Sequence, residues 1–114
     1  MSSLISVIMY CNHVDYFSKD TIESILFQEY SEFELIVIDS SLSDFNKKIC
    51  MGYNDNRLKY YNIDPIKGKS FALNAGMEYS QGKYIAFATS DSVSQKTRLQ
   101  IQKEYLENQH RKYL

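Results

Sequence analysis

The sequence contains no tryptophan, one proline, four glycines and two cysteines in 114 residues. With 44% hydrophobic residues and so few chain breakers, this is the composition of one compact domain, not of two domains or a disordered tail. Cys11 and Cys50 lie far apart without a C-x-x-C spacing. That fits free thiols in a reducing compartment better than a disulfide framework or a zinc site, and a cytoplasmic location is the expectation. No charge of one sign dominates: 13 basic and 14 acidic residues give a net charge of −1. The chain therefore has no electrostatic footprint for nucleic acid and no polybasic membrane patch. It also lacks a long hydrophobic run. The stretch from Leu4 to Cys11 is too short to cross a bilayer and is not preceded by a basic segment. Attachment at the inner face of a membrane would require a longer parent protein or a partner. No glycine precedes Gly52, which removes the glycine-rich first turn of a dinucleotide-binding domain. Cys11-Asn12-His13 after the first apolar run supplies no acidic pair of the kind a receiver domain needs.

What is present is an alternation of strand-like and helix-like segments, the signature of an α/β sheet. Leu4 to Tyr10 and Phe33 to Ile38 are nearly continuous apolar, β-branched runs, as expected of strands covered on both faces. Shorter runs follow at Leu58 to Tyr61 and Tyr84 to Ala88. Between them, Ile22, Ile25, Leu26 and Glu29 have helical spacing, with Ser18 or Asp20 to cap the start. Phe45, Ile49 and Tyr53 predict a short helix capped by Asp44. A third helix carries Phe71, Leu73, Ala75 and Met77 behind Ser70, and Gly82 closes its exit loop. A last helix, from about Thr97 to Asn108, presents Leu99, Ile101, Tyr105 and Leu106. The expected fold is an open, mostly parallel sheet of four strands with flanking helices, in a single domain spanning residues 1–114.

In such a sheet ligands bind beyond the carboxyl ends of the strands. The residues there are Tyr10 to His13, Asp39 to Asp44, Asp64 to Lys69, and Thr89 to Ser92. Asp39 can accept an N–H from a pyrimidine-like ring, or turn the chain through its own backbone. Asp91 can hold Mg²⁺ or Mn²⁺ bridging a diphosphate, or cap the next helix. His13 is a candidate ligand contact, though a lone loop histidine is more often a surface residue. Lys67 and Lys69 flank Gly68 and can place positive charge near phosphates, or form a solvated turn. Most of the ten tyrosines fall on strand or helix faces where packing explains them. Tyr10, at a strand exit, is the exception.

Taken in order, these segments resemble the N-terminal region of family 2 glycosyltransferases, over essentially the whole chain. Ile5-Ser6-Val7-Ile8-Met9 is similar to the family's opening strand and Ile22 to Gln28 to its first helix. Tyr30 to Asp39 is similar to the second strand with its base-binding aspartate. Asn74-Ala75-Gly76 and Gly82 to Phe87 continue the likeness up to the metal-binding loop. The resemblance implies the GT-A fold and transfer of sugar from a nucleotide-diphosphate donor, UDP-linked, to an acceptor saccharide or glycoconjugate. It implies a base contact at Asp39, with Mg²⁺ or Mn²⁺ at Asp91 stabilising the departing diphosphate, and Tyr10, Asn12, Lys67 and Ser90, by their place in the same strand-exit loops, are the further candidate nucleotide contacts.

Departures cluster in the loops. The family's Pro-x-Tyr-Asn reads Tyr10-Cys11-Asn12-His13. Its Asp-Asp-Gly-Ser reads Asp39-Ser40-Ser41-Leu42, which loses one carboxylate. The arginine often preceding Asn-Ala-Gly is Leu73, and the D-x-D loop reads Thr89-Ser90-Asp91. The family's acceptor-binding half and its general base are expected beyond Leu114, so the chain reads as the donor-binding portion. Supply of the missing half by a partner, or self-association through the uncovered face, is the corresponding expectation. The second reading is a non-catalytic, degenerate nucleotide-binding or assembly module.

Overall fold

The computed structural model describes residues 4–12, 18–89 and 93–111. Its strands are β1 (Ile5–Cys11), β2 (Phe33–Asp39), β3 (Leu58–Asn62) and β4 (Tyr84–Thr89). Its helices are α1 (Ser18–Leu26), α2 (Phe45–Met51), α3 (Gly68–Tyr79) and α4 (Arg98–Gln109), with a 3₁₀ turn at Pro65–Lys67 ahead of α3. All strand pairings are parallel, in the order β3-β2-β1-β4. The chain moves outward from β1 through β2 to β3, then crosses back to place β4 on the other side of β1. The carboxyl ends of β1 and β4 therefore flank the point where the winding direction reverses, the usual ligand crevice of an open α/β sheet.

Side-chain alternation along β1 splits the core in two. Ile5, Val7, Met9 and Cys11 face one cluster with Ile22, Ile25 and Leu26 of α1, Cys50 of α2, and Leu99 and Leu106 of α4. Ile8 faces the other, with Ile36, Ile38, Ile85 and Ala72 of α3. Each such aliphatic chain, withdrawn from water, contributes about 2 kcal/mol toward folding. Gly76 lets α3 sit close to the sheet: a Cβ there would lie 2.7 Å from Ile8 Cγ2. Gly82 is held still more tightly, since a Cβ would fall 2.5 Å from Ser6 Oγ and 2.6 Å from Ser6 N.

Several expected details change. The helix of residues 45–51 buries Asn46 and Cys50, while Ile49 and Tyr53 pack at its margin and Phe45 does not. Its first N–H is taken by Ser43, whose Oγ accepts from Phe45 N at 3.1 Å, whereas Asp44 pairs with Lys48. Asp20 lies in the first turn of α1, not before it. Ser70 is inside α3, because the turn is made earlier: Asp64 accepts from Ile66 N, and Gly68 takes a left-handed φ of 84° that leads into the helix. Phe71 is half exposed, with Ala72 and Gly76 buried in its place. On α4 only Leu99 and Leu106 reach the core, and Ile101 and Tyr105 face outward. Seven residues apart, the two leucines share a face that the other two do not.

Candidate functional site

Tyr10 and Thr89 are paired neighbours on β1 and β4 at the carboxyl end of the sheet. With Lys69, Leu73, Phe87 and Ala88 they line an open cavity of about 160 Å³. That is smaller than the few hundred Å³ of a typical small-molecule site, so it can house only part of a larger ligand. A second cleft of about 490 Å³ shares Phe87 and Thr89 but lies against α4, with Arg98 and Ile101. The larger volume is not where the free charge is. Arg98 is tied to the Phe87 carbonyl and to Ser94 Oγ, and its burial depresses its basicity. We therefore centre the site on the smaller cavity, where Lys69, the one charged residue among the described lining residues, makes no ion pair with any of the described residues.

The Tyr10 hydroxyl lies 3.0 Å from Ser40 Oγ, which bridges the exits of β1 and β2. Asn12 is exposed one residue beyond β1. Lys67 is placed apart from Tyr10. It ends the 3₁₀ turn with its ammonium 5.6 Å from the Phe71 ring centroid and does not line the cavity. Ser90, Asp91 and His13 lie outside the described residues.

Asp39 has its carboxylate engaged by donors within the chain. Its side chain is fully buried on the α2 face of β2, one oxygen accepting from Ser41 N at 3.0 Å and Asn46 Nδ2 at 3.3 Å. The other accepts from the Tyr60 hydroxyl at 2.6 Å. Burial, then the bond to this carboxylate, raises the Tyr60 phenol above its ordinary range, and burial with the nearby Asp39 charge pushes the Cys50 thiol up to about 12. Its carbonyl also accepts from Asn62 Nδ2 and Ile63 N. Asp39 thus locks β2, α2 and β3 together beneath the site. The residue next to it, Ser40, is the one turned toward Tyr10.

The chain that follows β4 is anchored from α1. Gln28 is buried, and its Oε1 accepts from Leu99 N at 3.0 Å while its amide donates to the Ser24 and Gln95 carbonyls. Ser24 Oγ accepts from Ser94 N, and Glu29 N donates to the Lys96 carbonyl. The segment 94–99, just past Asp91, is therefore held on the body of the domain. Among the described residues no group of three or more His, Cys, Asp or Glu is arranged to hold a metal.

Residues 6–113 match the sequence profile of glycosyl transferase family 2. The chain belongs to that family. It is 31% identical over 99 residues to the UDP-Glc:alpha-D-GlcNAc-diphosphoundecaprenol beta-1,3-glucosyltransferase WfgD of Escherichia coli, covering 87% of this chain and 39% of that protein. It is 40% identical over 106 residues to the O-antigen biosynthesis glycosyltransferase WbnJ of Escherichia coli, covering 90% of this chain and 41% of that one. The chain thus spans about two fifths of these relatives. Its fold is the GT-A arrangement. It superimposes on TarS of S. aureus, solved with UDP-GlcNAc, at a TM-score of 0.80 and 21% identity, over 93% of this chain and 32% of that one. The mannosyltransferase PcManGT of Pyrobaculum calidifontis, solved with GDP-Man and Mn2+, gives 0.80 at 19% identity, over 90% and 32%. No helix among the described residues is long and apolar enough to cross a membrane.

Proposed function

We propose that this chain binds a nucleotide-diphosphate sugar, UDP-linked, and forms the donor half of an enzyme that transfers the sugar to a hydroxyl of an acceptor saccharide or glycoconjugate. The observation that supports it most is the meeting of Tyr10, Lys69 and Thr89 in one cavity at the β1/β4 switch point, on a chain of this family. The base and ribose lie over Tyr10 and Asn12. Asp39 serves from beneath, by fixing the loop that carries Ser40, and Lys67 stays at the rim. The UDP-sugar of the Escherichia coli relative and the UDP-GlcNAc in the TarS structure favour uridine over other bases.

Asp91 is two residues beyond Thr89, within about 7 Å of it along the chain. A carboxylate is a suitable hard-oxygen ligand for Mg²⁺ or Mn²⁺. With one carboxylate in the loop, Asp91 would hold the cation only together with oxygens from the nucleotide and water, and Ser90 precedes it in sequence. When bound, such a cation neutralises charge on the departing diphosphate.

The test is calorimetric titration with UDP, with and without Mn²⁺, beside Asp91→Ala. Metal-enhanced binding that the substitution abolishes is the expected result. A folded chain that binds no nucleoside diphosphate under either condition overturns the reading and leaves an assembly module in its place.

A further inference from the structure

We propose that Lys69 is the cation that holds the donor diphosphate in this chain, and that it does so from the first turn of α3, not from the position directly before Asn74. The inference rests on the donor-binding reading above and deepens it.

Four observations converge on this residue. Among the described residues, Lys69 is the only charged one lining the cavity that contains Tyr10 and Thr89, and no described lining residue is acidic. It makes no ion pair among the described residues, so its ammonium is not already committed. Leu73 lines the same cavity from one helical turn deeper, which places positions 69 and 73 of α3 on one face toward the same space. An aliphatic side chain at 73 closes the floor of the cavity and supplies no charge. Other basic residues near this end do not line this cavity: Lys67 lies against the Phe71 ring, Arg98 is bound to Phe87 and Ser94, and Lys47 lines a separate cleft with Asp44 and Tyr60.

Local structure explains why the lysine that follows Gly68 enters the cavity while the one that precedes it does not. Asp64 caps the 3₁₀ turn, so Lys67 ends that turn and projects over Phe71. Gly68 then adopts a φ of 84°, which a side-chain-bearing residue rarely takes, between the 3₁₀ turn and the rest of α3. Lys69 is the first side chain after that glycine. A lysine ammonium is a compact point charge on a flexible stem, suited to phosphate oxygens whose position shifts between bound donor and released diphosphate. Placed across the cavity from Thr89, and so from the chain leading to Asp91, it would attract the diphosphate from one side.

The discriminating experiment titrates the wild-type chain, Lys69→Ala, Lys69→Arg and Lys67→Ala with UDP, uridine and inorganic pyrophosphate, each in Mn²⁺ at two salt concentrations. We expect Lys69→Ala to weaken UDP at least tenfold, to leave uridine within twofold, and to reduce the salt dependence of UDP binding. Lys69→Arg should recover most of the loss, and Lys67→Ala should stay within twofold of wild type for every ligand. Unchanged UDP affinity in Lys69→Ala overturns the assignment while leaving the donor-binding reading intact. An equal loss of uridine and UDP also overturns it, because the lysine would then be shaping the cavity, not meeting phosphate. Pyrophosphate binding as tight as UDP would make the site a general anion trap and overturn it too. A wild-type chain that binds none of the three removes both readings.

Discussion

The two ends of β2 carry one buried carboxylate each, and the two are used in contrasting surroundings. At the amino end Glu34 is closed in on the α3 face: Ser6 Oγ and Gln81 N donate to one oxygen at 2.6 and 2.7 Å, and Lys59 Nζ lies 2.7 Å from the other. Ser6 in turn accepts from Gly82 N, so the network joins β1, β2, β3 and the turn before β4. At the carboxyl end Asp39 is just as closed in, but on the opposite face, and a cavity with an uncommitted lysine opens across the sheet from it. Both acids are braces. The Glu34 carboxylate has its partners within the chain, whereas the cavity beyond the carboxyl end contains Lys69 with no ion pair among the described residues. Burial of a charge is tolerated in both places because each carboxylate is supplied with several donors.

This comparison can be broken most forcefully at Asp39. Asp39→Ala removes the buried acceptor shared by the Tyr60 hydroxyl, the Asn46 amide and Ser41 N, and we expect it to lower stability by about 3 kcal/mol in urea denaturation. If stability is unchanged and only nucleotide binding is lost, Asp39 is a ligand contact and not a brace. At the other end, Gly82→Ala drives a methyl group against the Ser6 backbone, where relief requires moving the strand, and should cost about 2 kcal/mol by the same measurement. Glu34→Gln should cost about 1 kcal/mol at neutral pH, discounted because Lys59 is one-third exposed.

The pH dependence of that last variant sharpens the point. Burial pushes the Glu34 carboxyl up, but Lys59, Ser6 and the Gln81 N–H together outweigh it and leave it below its ordinary 4.5. A depressed carboxyl contributes its stability in full above its unfolded pKa and loses it as pH falls through the folded value. Denaturation midpoints of the wild type should therefore drop below about pH 4.5 more steeply than those of Glu34→Gln. Parallel acid limbs would show that Glu34 gains nothing from its partners. The smallest effect concerns the thiols: both cysteines are buried, and burial with the nearby Asp39 charge pushes the Cys50 thiol up to about 12. At pH 8 the folded chain should resist maleimide, and the urea-unfolded chain should react at both residues. Ready labelling of native Cys50 would mean that α2 does not stay closed over Asp39.

Much of the fold was legible because strands buried on both faces write continuous apolar runs, and the segments of helical period fall between them. The four strands and four helices occur close to their expected places. The same property hid the orientation of Asp39. When both faces of β2 are apolar, alternation no longer tells which way its last residue points, and only register against β1 and β3 decides it. Capping was misjudged at Asp44 and Ser70 because Ser43 and Gly68 had already made the turns. Lys67 and Lys69 could not be told apart from spacing, since the left-handed Gly68 between them sends them to different places. Gln28 looked like a helix end, and its role in anchoring residues 94–99 depends on contacts some 70 positions away.

The measurement that most directly tests the contrast between the two ends is an amide chemical-shift map of the chain titrated with UDP and Mg²⁺. The account predicts that shifts concentrate at Tyr10, Asn12, Lys69 and Thr89, while Ser6, Glu34, Gln81 and Gly82 stay still. Shifts centred on the Glu34 network, or none at the carboxyl end at saturating UDP, would contradict it.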